Sequence, residues 1–461
     1  MKPLQLSEIR RILNARAIGA ADPSIGSVGT DTRKMQRGCL FVAIRGDKFD
    51  GLNFLPQAQA NGAAAALVDR EPEHPVGIPL LLVPSARAAM GQLAAHVRKS
   101  FRGKIIAVAG SNGKTSTKRL IDAALRRNFR GSISPKSFNN DIGVPLTIFP
   151  ADSEQDYLVL ELGTNHPGEI KGLTNICRPD IGVITNCTAE HLEGLRDIAG
   201  VRAENATLID GMSAAGVLIV NGDDQDLLKA VSRFEGTRIC FGFLSGNDLI
   251  ARNISCTDDG TSFDVNGGVG RVFIPMLGKH SATNALAAIA VGRAMEIPDE
   301  QIVASLRSAK SPEMRLELTE IGGIRVLNDA YNANPASMQA ALETLLALPA
   351  RGQRIAVLGD MRELGKASED CHRNIGRLAA RKFRPDRLIC VGPEARNIAA
   401  EAIHAGFPIA NVEHFPNATS ASIIVERLSD GDLVLLKASR AIGLESVAEA
   451  ITARPTTASV A

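Results

Sequence analysis

The stretch KIIAVAGSNGKTST, residues 104–117, decides the fold: an unbroken apolar run ends in a glycine-bracketed turn, and Lys114 and Thr115 open the next segment. A short apolar run of this kind suits a strand covered on both faces, as parallel sheets require. The next residues, TKRLIDAALRR (117–127), carry apolar positions at near-helical spacing. Strand, turn and helix N-terminus therefore converge on one point, where exposed amides and the helix dipole favour an anion and Lys114 adds a mobile positive charge. The spacing is G-x-x-G-K-T, shorter between its outer glycines than the general G-x-x-x-x-G-K-[ST] pattern. Gly110, Ser111, Asn112, Gly113, Lys114, Thr115 and Ser116 are accordingly read as a cradle for a nucleoside triphosphate. The Thr115 hydroxyl is then placed to ligate a Mg²⁺ bridging phosphate oxygens.

Further buried-strand candidates lie downstream in YLVLE (157–161), DIGVITN (180–186) and GVLIVNGDD (216–224), with helix-compatible segments between several of them. This is the rhythm of a mostly parallel sheet. The polar, glycine-rich run TDDGTSFDVNGGVG (257–270) breaks it and is expected to form a hairpin or sheet excursion inside the same domain, before a strong helix at NALAAIAVGRAMEI (284–297). Upstream, CLFVAI (39–44) and AAAALV (63–68) sit between charged turns, TDTR (30–33) and RGDKFDG (45–51), as in a small α/β domain. Beyond a boundary at SPEM (311–314), the runs RVLND (325–329), RIAVLGD (354–360), RLICVG (387–392) and DLVLLK (432–437) alternate with helical patterns such as ASMQAALETLLALP (336–349). A second α/β sheet is predicted there, its ligands beyond the carboxyl ends of the strands.

Composition narrows the function classes. A chain of 461 residues exceeds a single core, and 45% hydrophobic against 22% charged residues is the balance of a folded protein. With 52 basic against 50 acidic residues, no Trp and two Tyr, it lacks both the charge and the stacking surface expected of a nucleic-acid binder. No stretch reaches the roughly 20 apolar residues of a membrane span, and the N-terminal residues do not resemble a signal peptide, so a cytoplasmic protein is expected. Seven cysteines with no CxxC pair fit reduced thiols. Any metal is then held by oxygen and imidazole.

Strand ends supply the remaining candidates. Glu161 ends an apolar strand and His191 follows another, so with Thr115 they can form a metal-facing or phosphate-facing shell. Asn139 and Asn140 offer neutral donors and acceptors for substrate oxygens. In NDAYNANP (328–335), Asp329 can receive ribose hydroxyls or a substrate ammonium, Asn332 and Asn334 can complete a polar pocket or cap the next helix, and Pro335 suits its first turn. Arg315 can reach across to phosphates, and Lys437, ending the last strong strand, can meet an anionic substrate.

On these residues the chain resembles the Mur ligase family. The likeness runs through TDTR, LFVAIRGDKFDG (40–51), AGSNGKTST, NNDIGVPLT (139–147), ELGTNHPGEI (161–170), HLEGL (191–195), LGKHSATNALAA (277–288), NDAYNANPASMQAAL (328–342), VLGDMRELG (357–365) and LLKASR (435–440). NDAYNANP and VLGDMRELG are more specific than the glycine turn, and their resemblance implies the branch that adds D-alanyl-D-alanine to UDP-N-acetylmuramoyl-tripeptide. The resemblance implies a three-domain α/β ligase. A small N-terminal α/β domain (1–100) would hold the UDP-muramoyl peptide, a central P-loop domain on a mostly parallel sheet (101–312) ATP and magnesium, and a C-terminal Rossmann-like domain (313–461) the incoming dipeptide. Lys114, Glu161, His191 and Arg315 carry over as catalytic residues, His280 and Asn284 as neighbours of adenine, and Arg315 and Asp329 as nucleotide contacts from the third domain. Arg33, Lys48, Asn139, Asn140, Asn332, Asn334 and Lys437 are the substrate-binding candidates. The implied chemistry is ADP-forming amide synthesis through an acyl phosphate and a tetrahedral intermediate, by a monomer. A relative joining a different acid and amine is the alternative, followed by a P-loop ATPase.

One departure bears on the metal. Where the family often carries a carbamylated lysine after the His-Leu-Glu-Gly run, VRAENATLI (201–209) has none, and Asn205 occupies its place. Either Asn205 or Glu204 beside it, whose carboxylate would supply the missing charge directly, is expected to support the magnesium, or that second metal site is weak in this chain.

Overall fold

The computed structural model describes residues 1–46 and 49–453. Besides a two-stranded antiparallel pair, Leu4–Gln5 with Ser24–Ile25, three larger sheets follow one another along the described chain. The first has five strands, in the order Arg16–Ile18, Leu80–Leu82, Ala65–Val68, Cys39–Val42 and Ser27–Gly29, parallel except for the edge pair Arg16–Ile18 and Leu80–Leu82. The second has nine, in the order Gly270–Ile274, Gly260–Val265, Leu249–Thr257, Thr237–Gly242, Val217–Asn221, Ile181–Ile184, Lys104–Ala109, Tyr157–Glu161 and Gly131–Ile133. Its last seven strands are parallel, and the first three form an antiparallel extension that includes the glycine-rich hairpin. The third has six: Glu317–Ile321, Ile324–Asn328, Leu433–Lys437, Arg354–Gly359, Arg387–Val391 and Val412–Phe415, parallel apart from the first pair.

The apolar runs are strands because both faces of each are covered. Successive side chains of a strand point to opposite faces. In Lys104–Ala109, Ile105, Ala107 and Ala109 enter one core while Ile106 and Val108 enter another. Leu158 and Leu160 join the first, Tyr157 and Val159 the second. The third sheet repeats this, with Ala356 and Leu358 on one side and Ile355 and Val357 on the other.

The first core does not stop at the central sheet. Leu40, Leu67, Met90 and Leu93 of the N-terminal region share it with Ile105, Leu158 and Leu173, and the helix Ala86–Arg98 packs on Glu169–Cys177 and Gly143–Ile148. On the opposite face, Lys279–Ala294 packs on Lys114–Leu125. That helix begins five residues before the expected 284, with Gly278 at φ 91° as its N-cap. The polar segment KHSAT hides its first turn from apolar periodicity. The seven cysteines are free thiols, and among the described residues no helix is long and apolar enough to cross a membrane.

Leu160→Ala, which opens a cavity where the central strand is sealed on both faces, is expected to cost about 2–5 kcal/mol. Urea unfolding monitored by circular dichroism should show the transition at lower denaturant with an unchanged slope.

Candidate functional site

The strand Lys104–Ala109 runs into a turn that the neighbouring strand end clamps. Asn186 Oδ1 accepts from the Asn112 amide at 3.0 Å, and its Nδ2 donates to the Asn112 carbonyl at 2.9 Å. Thr185 Oγ1 donates to the same carbonyl at 2.7 Å, and the Ser111 amide to the Asn186 carbonyl at 2.8 Å. Asn112 Nδ2 donates to Thr188 Oγ1 at 2.9 Å. Gly110, at φ 119°, has no room for a side chain because a Cβ would strike Thr185, and Gly113, at φ 84°, faces the Asn284 side chain in the same way. The helix Lys114–Leu125 starts directly after Gly113, so its first amides have no intrahelical acceptors and face outward. Lys114 Nζ lies over the loop, donating to the carbonyls of Gly110 at 2.5 Å and Ser111 at 3.0 Å. A rigid turn, free helix-end amides and a lysine form a site that fits a polyphosphate.

One side chain past Lys114, the hydroxyl of Thr115 donates to Glu161 Oε2 at 2.9 Å. The Glu161 carboxylate is 1% exposed and also accepts from Asn139 Nδ2 at 3.2 Å and from Lys118 Nζ at 3.0 Å. Burial alone would raise its pKa, but the charges of Lys118, Lys114 and Arg315 outweigh it and hold the carboxyl below the ordinary value. Burial pushes the Lys118 ammonium down, against the pull of Glu161. An ionised carboxylate oxygen beside a threonine hydroxyl at a phosphate cradle is the donor chemistry a hard divalent cation takes. Among the described residues no group of three or more His, Cys, Asp and Glu is gathered to hold a metal, so phosphate oxygens would have to complete any coordination shell here.

The C-terminal sheet brings a second wall. Asn334 caps the helix Pro335–Ala347, accepting from the Ser337 amide at 2.9 Å, and its Nδ2 donates across to Asn112 Oδ1 at 2.9 Å. Tyr331 donates its hydroxyl to Ser137 Oγ at 2.6 Å, and its ring lies 4.2 Å beneath the guanidinium of Arg315. Asp329 accepts from the Leu316 amide at 3.2 Å and pairs with Lys437 at 2.8 Å. His191 pairs through Nδ1 with the carboxylate of Glu363, from the loop after strand Arg354–Gly359, and its Nε2 lies 3.8 Å from Glu190. Burial pushes the pKa of His280 down, against the pull of Asp329.

Between these walls lies a cleft of about 800 Å³. Of the residues expected from sequence, Ser111, Asn112, Gly113, Lys114, Ser116, Asn139, Asn140, Glu161, His191, His280, Asn284, Arg315, Asp329, Asn332, Asn334 and Lys437 line it. Gly110 and Thr115 lie directly beneath, in the turn and in the bond to Glu161. Four residues need comment. Lys437 is 3% exposed, and its ammonium is spent on Asp329 and on the Asn332 carbonyl at 2.6 Å, so it braces the NDAYNANP loop rather than offering a free charge. Glu204 is directed elsewhere than expected: its carboxylate accepts from the amides of Gly168 and Ile170, both at 2.7 Å, and so caps the helix Glu169–Cys177. Arg33 lies outside the cleft, exposed and paired with Asp31 at 2.8 Å. Lys48 lies outside the described residues.

Sequence reasoning passed over Thr185, Asn186 and Thr188, although the run ITNCTAEH carried them next to His191. It also passed over Lys118, Tyr331 and Glu363. Lys118 follows Lys114 by one helical turn, the one signal that could have flagged it.

This geometry is shared with known proteins. The Mur ligase family catalytic domain pattern matches residues 24–98, the Mur ligase middle domain 108–292, and the Mur ligase glutamate ligase domain 314–440. The chain is 37% identical to the UDP-N-acetylmuramoyl-tripeptide--D-alanyl-D-alanine ligase of Escherichia coli, covering 98% of this chain and 99% of that one. It is also 37% identical to the ligase of the same name from Bacillus subtilis, with 94% of each covered. Among solved structures, MurF from Acinetobacter baumannii superposes with a TM-score of 0.88 at 29% identity, covering 98% of this chain and 100% of that one. MurF from Thermotoga maritima in complex with ADP gives 0.82 at 26% identity, with 92% and 97% covered. The fold and site thus define a P-loop ligase built on three α/β sheets. The chain belongs to the Mur ligase family, and the four relatives just named, each matched along nearly its whole length, are MurF enzymes.

Gly113→Ala tests the cradle. It places a side chain on Asn284 in a left-handed backbone, a strain of roughly 1–3 kcal/mol that corresponds to about tenfold or more in affinity. Calorimetric titration with ADP should show that loss, whereas Gly246→Ala, at φ 101° with open space around it, should bind ADP as before.

Proposed function

We propose that the cleft joins D-alanyl-D-alanine to UDP-N-acetylmuramoyl-tripeptide at the expense of ATP, with release of ADP and phosphate. The observation that carries this reading is the direct bond between Asn334 of NDAYNANP and Asn112 of the phosphate cradle. It sets the loop that marks the dipeptide-adding branch against the turn that grips a nucleotide. The full-length likeness to ligases named for this reaction supports it.

The chemistry answers an energetic problem. A carboxylate is a poor electrophile with no good leaving group, so the terminal carboxylate of the tripeptide attacks the γ-phosphorus of ATP and becomes an acyl phosphate. The neutral amine of the dipeptide adds to that carbonyl, a tetrahedral intermediate forms and loses its proton, and phosphate departs as the C–O bond breaks. Lys114 and the amides after Gly113 stabilise charge on the transferring group, and Arg315 approaches it from the opposite wall. Thr115, Glu161 and His191 are the residues that would hold magnesium, which when bound neutralises phosphate charge. Asn139, Asn140 and Asn332 face the peptide ends, Asp329 the ribose, and His280 and Asn284 the base. Arg33, in the helical turn Thr32–Lys34 between two strands of the N-terminal sheet, is assigned to the uridine-nucleotide end. The contacts across the cleft exclude water from the acyl phosphate. The enzyme on this reading is a cytoplasmic monomer.

A matrix of nucleotide-linked peptide acids against amino acids and dipeptides, read by product mass, checks the assignment. Mass gain with D-alanyl-D-alanine and ADP formation dependent on both substrates are expected; gain only with another acid or amine, or ADP formation with neither, overturns it. Lys114→Ala should lower kcat by about 10²–10³, measured as single-turnover acyl-phosphate formation at saturating ATP.

A further inference from the structure

Lys118 has no role in that scheme, yet it is among the most enclosed side chains in the protein, at 1% exposure. Lysine almost never goes fully inside unless its charge is paired. Its ammonium has three donors, and all three are used: Glu161 Oε2 at 3.0 Å, Ser134 Oγ at 3.1 Å and the Lys136 carbonyl at 2.6 Å. The oxygen it holds is the one that Thr115 also bonds. Lys118 therefore fixes the position of the carboxylate oxygen best placed to face a metal ion.

It also sets the charge there. Glu161 is a single negative group acted on by Lys118, Lys114 and Arg315. The other acids of the cleft are engaged: Asp329 with Lys437, Asp141 with Arg87, Glu169 with the amides of Asn165 and His166, and Glu190 with Asn334 Nδ2 at 3.5 Å, while Glu363 beside the cleft pairs with His191. Around Glu161 cations outnumber anions, so a bare divalent ion is repelled while a polyphosphate is attracted. Once the phosphates cover Lys114 and Arg315, the balance reverses.

We propose that Lys118 is a positioning residue that pins Glu161 Oε2 and, by offsetting its charge, keeps the site closed to a divalent cation until a nucleotide polyphosphate is bound. The inference rests on the nucleotide-and-metal reading of the cleft. It makes metal entry conditional on nucleotide rather than independent of it.

Mn²⁺ binding to the full-length protein, followed by the electron paramagnetic resonance signal of the free ion, tests it. The wild type should bind Mn²⁺ weakly alone and at least about tenfold more tightly with ADP present. Lys118→Met should gain about tenfold or more in nucleotide-free Mn²⁺ affinity, Lys118→Arg should keep the wild-type exclusion, and Lys118→Met with Glu161→Gln should lose the gain. A buried lysine serving stability alone would lower the melting temperature and leave nucleotide-free Mn²⁺ affinity unchanged; that result overturns the proposal. So does a wild type that binds Mn²⁺ equally with and without ADP, an arm that needs no variant to fold. Failure of the wild type to bind ADP at all, measured in the same titration, sinks the nucleotide reading instead.

Discussion

The double hydrogen bond between the Asn186 side chain and the backbone of Asn112 is the constraint from which the cleft is built. A glycine-bracketed turn carries little rigidity of its own, because glycine resists fewer conformations than any other residue. Here the strand Ile181–Ile184 ends in side chains that close on the turn from outside, so the cradle is as fixed as the sheet beneath it. With the Asn112 backbone held, its side chain is free to serve both walls, donating to Thr188 and accepting from Asn334. Both the position of the first helical amides and the seating of the C-terminal sheet descend from that one residue pair.

The three sheets are joined by different physics. The N-terminal and central sheets share an apolar core, whose separation would expose Leu40, Met90, Ile105 and Leu173 together. Across the cleft the ties are mostly polar: Asn334 to Asn112, Tyr331 to Ser137, His191 to Glu363, and the Glu193 amide to the Glu363 carbonyl at 3.2 Å. Polar contacts exchange with water at little net cost, and interfaces of this character are the ones that open. A ligase that admits three substrates and then protects an acyl phosphate needs one seam that parts and one that does not.

Much of the fold was legible because burial on two faces writes itself as uninterrupted apolar runs. YLVLE is a strand over the same residues, Tyr157–Glu161, and the C-terminal runs differ from the observed strands by a residue at one end, or at both for Ile324–Asn328. The edge strands Gly131–Ile133, Glu317–Ile321 and Val412–Phe415 carry mixed patterns and gave no such signal. At the site, residue types at strand ends pointed to the cleft, but a side chain's partner is a tertiary fact. Asn334 shows the gap: its sequence context offered a helix cap or a pocket residue, and with an oxygen and a nitrogen on one amide it is both. Lys437 read as a charge for an anionic substrate and Lys118 gave no signal beyond its spacing, and only the packing around them shows that both are spent internally.

The departure after the His-Leu-Glu-Gly run now has a structural setting. Asn205, where the family often carries a carbamylated lysine, is 1% exposed and donates to the Val201 carbonyl at 2.9 Å, while its Oδ1 has no hydrogen-bond partner. Glu204 beside it is committed to helix amides. Neither residue brings a free carboxylate to Thr115 and Glu161. On the proposed function, the negative charge that holds a divalent cation against Lys114, Lys118 and Arg315 would then come chiefly from what the cation accompanies, the triphosphate and the tripeptide carboxylate. Metal, nucleotide and acid on this account stabilise one another in the cleft, and the protein's share is to hold one carboxylate oxygen still while they assemble.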